Sequence, residues 1–158
     1  MKVLGVDPGS YVWGYGVVET GNGSPRFGHL VECGVFTLPK QSALPQRLAE
    51  IHRTIADLIL RHRPTALALE TPFYHKNVRT TLVLGQTRGV VLLAAQQAGI
   101  EIAEYPPATV KKTVVGRGGA QKQQVGAMVA RILQLRHAPQ PHDAADGVAV
   151  ALTHIIRS

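Results

Sequence analysis

The stretch MKVLGVDPGSYVWGYGVVETGNGSPRFGHLVECGVFTL, residues 1–38, decides the fold because it holds three strand patterns in series. Residues 1–7 are an apolar run typical of a strand that is buried on both faces. Pro8 and Gly9, which follow, favour a turn, and GNGSP at 21–25 is typical of a hairpin turn. Together with the strand patterns at 14–20 and 27–38, these turns predict three antiparallel strands in series.

The rest of the chain adds two strands, each preceded by a helix. Residues 44–62 place leucines and isoleucines at steps of three and four, which predicts an amphipathic helix before the strand at 65–70. A second helix at 81–98 precedes the strand at 100–105. Further helices are expected at 108–115, 121–135 and 141–156. This order predicts an α/β fold with a mixed five-stranded sheet, three antiparallel strands then two parallel, flanked by helices. A Rossmann fold would alternate strand and helix from the start.

Composition and length fit a single globular domain over residues 1–158. The chain is 45% hydrophobic and 17% charged, which excludes a disordered class. Its lone cysteine, Cys33, excludes an internal disulfide and suits a reducing compartment. The N-terminus has no signal-peptide pattern, and the longest apolar run, at 90–95, is too short to cross a bilayer. We therefore expect a cytoplasmic protein with no membrane partner.

Positive charge is concentrated in one segment of the chain. The net charge is +7, and residues 76–137 contain nine Lys and Arg residues opposed only by Glu101 and Glu104. The remaining residues therefore sum to zero. Such an excess favours a polyanionic partner, although charge of this size also serves solubility.

Four of the ten acidic residues lie in apolar surroundings, where an ionised carboxylate is costly to bury unless it is paired or binds a metal. Asp7 and Glu70 each end a buried strand pattern. If those strands are parallel neighbours, their carboxyl ends meet at one edge of the sheet. Asp143 and Asp146 are three residues apart at the start of a helix and therefore share one face.

Carboxylates in this number are the hard oxygen ligands that Mg²⁺ or Mn²⁺ prefers. Two ions about 3.5–4 Å apart could activate a water and stabilise the leaving oxygen when a phosphodiester is cut. Other interpretations remain open for each acid. Asp143 and Asp146 could complement the helix dipole, and Asp7 could cap its own turn. Glu104 is another candidate for the site, but polar and apolar residues alternate in the strand at 100–105, which puts Glu104 on a more solvated face. His142 could join as a ligand or proton shuttle.

Five segments, in order, are closely similar to the RuvC family of bacterial Holliday-junction resolvases. They are VDPGS with GYGVV, ALETPF, KNVRTTLVLGQTRG, VKKTVVGRGGAQK and PHDAADGVAVALTH. The resemblance implies a ribonuclease-H-like fold and a homodimer. It also implies metal-dependent nicking of two opposed strands of a four-way DNA junction in recombination and repair, coupled to a branch-migration motor.

The resemblance assigns roles residue by residue. Asp7, Glu70, Asp143 and Asp146 match the family's catalytic metal-binding tetrad. Lys111 and Lys122 match basic positions close to the scissile phosphate, where the alternative is a generic phosphate contact. Phe73 resembles the aromatic residue that stacks on unpaired bases at the crossover, with core packing as the alternative. The remaining DNA contacts are expected at Lys76, Arg79, Lys112 and Arg117.

The helix at 81–98 adds support for a dimer. Residues 90–95 are apolar on every side, and Gly85 and Gly89 lie one turn apart and leave a smooth strip. The alternative is a helix fully buried in the core.

The leading hypothesis is a structure-selective endonuclease with two divalent ions per active site that leaves 5′ phosphates. The alternative is a non-catalytic scaffold that binds junctions. A phosphotransferase of the actin and sugar-kinase type is disfavoured because no second phosphate loop of the Asp-then-Gly kind occurs.

Overall fold

A computed structural model describes residues 1–21, 23–24, 26–71 and 76–158. It contains one five-stranded sheet with the strand order β3-β2-β1-β4-β5. The first three strands pair antiparallel, and β4 and β5 extend the sheet in parallel from β1. The predicted mixed sheet is therefore confirmed. The strands are β1 (Lys2–Asp7), β2 (Val12–Glu19), β3 (His29–Thr37), β4 (Ala66–Glu70) and β5 (Glu101–Tyr105).

Five helices connect and cover the sheet, and the predicted order of helices is confirmed. Two helix boundaries differ from the expectation by three residues, and the other helix boundaries agree within one residue. The second helix begins before residue 81 because the Asn77 side chain accepts a hydrogen bond from the Thr80 backbone N–H at 3.2 Å. The fourth ends before residue 135 because Gln134 has a φ of 55°, outside the helical region. The helices are α1 (Leu44–His62), α2 (Val78–Gln97), α3 (Pro107–Val115), α4 (Lys122–Ile132) and α5 (His142–Arg157).

The two faces of the sheet bury side chains of different size. On β4, Leu67 and Leu69 face the core beneath α1 and α2, whereas Ala66 and Ala68 face the core beneath α3, α4 and α5. The small residues leave room for α5 to approach the middle of the sheet closely.

Glycines allow the close approach of α5 to β1 and β2. A Cβ at Gly147 of α5 would overlap the backbone of Tyr15 on β2, and a Cβ at Gly14 would overlap the carbonyl oxygen of Asp143. Neither position can take a side chain without moving the helix. The first turn of α5 is thereby held against the carboxyl end of β1.

Within the described ranges, no helix is both long enough and apolar enough to pass through a lipid bilayer.

Candidate active site

Two of the four predicted acids come from neighbouring parallel strands. Asp7 is the last residue of β1 and Glu70 is the last residue of β4. The pairing of β1 with β4 runs from Val3 opposite Ala66 to Val6 opposite Leu69. Both acids therefore project from the same edge of the sheet, where ligand sites form in open α/β sheets.

Helix α5 brings the other two acids to this edge. Carboxylate oxygens of Asp7, Asp143 and Asp146 all lie within 4.8 Å of one another. Glu70 lines the same cleft. We call this space the acid cleft; its volume is about 330 Å³, and Lys111 and Lys122 also line it. The structure thus brings together all four acids and the two lysines selected from the sequence.

The acid cleft carries negative charge that the protein does not fully offset. Burial, and then the proximity of Glu70 and Asp146, raises the pKa of Asp7 far above its ordinary range. Burial also raises the pKa of Glu70 and that of Asp146. Carboxyl groups shifted in this direction indicate a shortage of positive charge at the site. The cluster of hard oxygen donors therefore fits divalent cations such as Mg²⁺ or Mn²⁺.

Lys122 supplies part of the missing positive charge. Its Nζ lies 3.6 Å from Oδ1 of Asp143 and 3.4 Å from Oδ2 of Asp146. Burial lowers the pKa of this ammonium, but the nearby carboxylates of Asp146 and Asp143 outweigh burial and raise it overall. Lys122 is the first residue of α4, and Lys111 lies on α3, so two separate helices place cations at the opening of the cleft.

The other basic residues predicted to bind DNA do not line the acid cleft. Arg79 lines a neighbouring cleft, and Lys76 is exposed just before α2. Arg117 is exposed in the turn between α3 and α4, and Lys112 lies on another surface beside Arg157 of α5. Phe73, the predicted stacking residue, lies outside the described residues.

Glu104 and His142, which the sequence analysis considered for the site, both lie outside the acid cleft. Glu104 does not line the acid cleft; it forms a bidentate ion pair with Arg88 of α2, with the Nε–Oε2 pair at 2.5 Å. His142 is exposed at the start of α5 and does not line the cleft either.

Sequence analysis did not identify the glycines that position α5. The available signal was the run GYG inside a strand pattern, because glycine within a strand often marks a close backbone approach. Gly14 and Gly147 determine where Asp143 and Asp146 lie, so they position the site without lining the acid cleft.

The family model for the crossover junction endodeoxyribonuclease RuvC matches residues 3–154. The chain belongs to the RuvC family. The RuvC of Halorhodospira halophila is 48% identical over 153 residues, covering 97% of this chain and 89% of that protein. The RuvC of Syntrophomonas wolfei is 43% identical over 155 residues, covering 98% of this chain and 88% of that protein.

Solved structures agree with membership of the RuvC family. The Thermus thermophilus RuvC structure matches with a TM-score of 0.85 and 35% identity, covering 99% of this chain and 94% of that one. A second structure, of T. thermophilus RuvC in complex with a Holliday junction substrate, matches with a TM-score of 0.85 and 33% identity over the same shares. The chain therefore has the ribonuclease-H-like fold of RuvC and is an endonuclease that resolves Holliday junctions.

Proposed function

We propose that the acid cleft is the active site of this RuvC-family endonuclease, where phosphodiesters are hydrolysed in two opposed strands of a four-way junction. The observation that carries this proposal is the meeting of Asp7, Asp143 and Asp146 within 4.8 Å, beside Glu70, in a protein of net charge +7. A cluster of acids repels DNA unless cations neutralise it, so cations and DNA are expected to bind together.

Asp7, Glu70, Asp143 and Asp146 would hold the metal, and we propose two Mg²⁺ or Mn²⁺ ions per site. Bound there, divalent cations would supply Lewis-acid stabilisation of the phosphate and a water of lowered pKa. The four carboxyl groups must be deprotonated to act as ligands, and the raised pKa values of Asp7, Glu70 and Asp146 oppose this. Because metal binding favours the deprotonated form, DNA hydrolysis is expected only at a pH where bound metal keeps these groups deprotonated.

The two lysines contribute positive charge where the phosphate would lie. Lys111 and Lys122 line the opening of the acid cleft, so their ammonium groups can approach the oxygens on which charge builds up during hydrolysis. Departure of the 3′ oxygen leaves a 5′ phosphate. The aromatic stacking role of Phe73 stays a prediction.

Cleavage of a labelled four-way junction tests the proposal. Wild-type protein should cut two opposed strands in Mg²⁺ or Mn²⁺, whereas Asp7→Asn and Asp146→Asn should bind the junction without cutting it. Asp57→Asn is a matched control, because Asp57 is an exposed acid on α1 that pairs with Arg61. Full cleavage by Asp7→Asn would contradict the proposal. Binding without cutting by the wild type would favour the junction-binding scaffold, which needs the basic residues but not the acids.

We also propose a homodimer formed through α2. Val78, Leu82 and Leu93 are 72%, 63% and 51% exposed, although they are apolar. A Cβ at Gly85 or Gly89 would meet open space, so another helix can approach this face. A junction with approximate two-fold symmetry needs two equivalent sites, and an isologous dimer supplies them.

Two further proposals rest on the family resemblance. They are a branch-migration motor complex as a partner and a bacterial cytoplasmic location.

A further inference from the structure

A second cleft, of about 280 Å³, lies beside the acid cleft. It is formed by the turn between β1 and β2, the start of α1 and the first half of α2. Gly9 lines both clefts, so the two spaces are neighbours along one surface. We call the second space the arginine cleft because Arg47 and Arg79 are its charged residues, alongside Tyr11 and Thr80.

The arginine cleft has positive charge that no acid offsets. None of its lining residues is Asp or Glu. Among the described residues, neither Arg47 nor Arg79 forms an ion pair. In contrast, Arg53 and Arg61 on the same helix as Arg47 are both paired with carboxylates. Unpaired arginines gathered at one cleft favour an anionic ligand.

A buried donor at Arg47 points to the same kind of ligand. The Nε atom of Arg47 is shielded from solvent and has no hydrogen-bond partner among the described residues. A buried N–H without an acceptor is unfavourable, and a bound anion would supply the missing acceptor. Arginine presents its N–H groups in a planar fork that matches the oxygens of a phosphate.

The surrounding residues hold this cleft in shape. The Tyr11 carbonyl oxygen accepts a hydrogen bond of 2.7 Å from the backbone N–H of the buried Leu38. Two cations flank the Tyr11 ring, with Arg47 Cζ 5.7 Å and Lys40 Nζ 5.5 Å from the ring centroid. On the opposite wall, the Asn77 cap fixes the first turn of α2, which carries Arg79 and Thr80. A ligand would therefore enter a largely preformed site.

We propose that the arginine cleft binds a backbone phosphate of the DNA strand whose scissile phosphate lies in the acid cleft. This inference rests on the proposed function of the acid cleft. A single strand that leaves the acid cleft past Gly9 carries a phosphate at every nucleotide, and the arginine cleft is the adjoining site with unpaired cations. Contacts of this kind position a strand without reading its sequence, so Arg47 and Arg79 would set which phosphate is cut.

Salt dependence of junction binding tests the contact. In EDTA, where no cutting occurs, Arg47→Ala and Arg79→Ala should each weaken binding roughly 5-fold at 0.15 M salt. The slope of log K against log salt should become shallower by about 0.9 for each lost phosphate contact. Arg53→Ala is the matched control, since it removes the same charge from α1 outside the cleft. Salt slopes equal to that of Arg53→Ala in both variants would overturn the inference.

A chemical map of the strand locates the phosphate. A set of junctions carries one neutral methylphosphonate each, at successive positions on both sides of the cut. The wild-type protein should bind more weakly when the methylphosphonate lies next to the cut. That penalty should disappear in Arg79→Ala, while penalties at other positions remain. An unchanged penalty pattern in Arg79→Ala would overturn the inference, and because Arg79 is exposed this variant does not depend on repacking the core. Failure of the wild type to cut in Mn²⁺ counts against the proposed function alone.

Discussion

At Asp7, the needs of the proposed active site conflict with the stability of the fold. Its carboxyl group is buried beside Glu70 and Asp146, and burial followed by these two negative charges raises its pKa to about 9. A core residue chosen for stability alone would be apolar at this place, as its neighbours Leu4 and Val6 are. Functional sites commonly keep such local conflicts because the ligand resolves them.

Replacing Asp7 with asparagine should therefore stabilise the metal-free protein at neutral and alkaline pH. The folded-state pKa of about 9 lies above the ordinary 3.8, so the folded protein binds more protons, and stability falls as pH rises between these values. Asp7→Asn removes this loss and should raise the free energy of unfolding at pH 8 by at least about 1 kcal/mol, or about 2–4 °C in Tm. The gain should shrink towards pH 4. Thermal melts in EDTA across this range measure it, and an equal Tm difference at both ends would contradict it.

Lys122 is expected to weaken metal binding but to speed junction cleavage. Its ammonium lies between Asp143 and Asp146, so it competes with a cation for the same oxygens. Lys122→Ala should tighten Mn²⁺ binding, measured by calorimetry, while junction cleavage slows by about 10²–10³-fold because a stabilising charge is lost.

Lys112→Ala is the matched control for Lys122→Ala. Lys112 sits on α3 next to Lys111 but lines a different cleft, so neither Mn²⁺ affinity nor the cleavage rate should move by a comparable amount. Weaker Mn²⁺ binding by Lys122→Ala would contradict the idea of competition.

At the scale of elements, the position of α5 decides whether the site exists. The helix packs against β1 at Gly5 and against β2 at Gly14 and Gly147, where a Cβ would overlap backbone atoms. Asp143 and Asp146 lie at its N-terminal end, and the middle of the helix is buried from Val148 to Leu152. Any change that lifts α5 from the sheet therefore moves two of the four acids away from Asp7.

Gly147→Ala should separate α5 from the sheet. The added Cβ would overlap the backbone of Tyr15, so we expect a loss of about 1–3 kcal/mol in the free energy of unfolding, with strongly reduced cleavage. Gly126→Ala on α4 is the matched control, because its Cβ would make ordinary contacts of 3.5 Å with Ala138 and 3.8 Å with Ala145. Denaturant unfolding and the junction assay measure both effects. Wild-type stability in Gly147→Ala would show that the sheet can adjust.

For the whole molecule, local patterns predicted the elements, but contacts between distant segments had to be observed. The apolar stripe of α1 predicted its bounds, residues 44–62, and the apolar strand patterns that end on an acid identified Asp7 and Glu70 as candidates for the site. How closely α5 approaches the sheet depends on small residues of β2 and β4, so the pattern of α5 alone did not predict it. The arginine cleft likewise joins segments far apart in sequence, Tyr11, Arg47 and Arg79.

The proposed dimer gives a prediction at this scale. Leu82→Glu should place a charge in the middle of the exposed face of α2 and convert a dimer into monomers, as measured by analytical ultracentrifugation. Paired cutting of opposed strands should be lost at the same time. Leu60→Glu is the matched control, since Leu60 is 74% exposed but belongs to α1 and not to that face of α2. A wild-type protein that sediments as a monomer at micromolar concentration, or a Leu82→Glu variant that stays dimeric, would contradict the proposal.

The placement of two acids on β1 and β4 and two on α5 has a consequence for how the protein is made. Translation proceeds from the N-terminus, so a nascent chain on the ribosome carries Asp7 and Glu70 long before Asp143 and Asp146 emerge. Until α5 packs on the sheet, the chain has only two of the four acids of the proposed active site, so we expect it not to cut DNA. A product truncated before residue 142 lacks Asp143 and Asp146 and is therefore expected to be inactive as well.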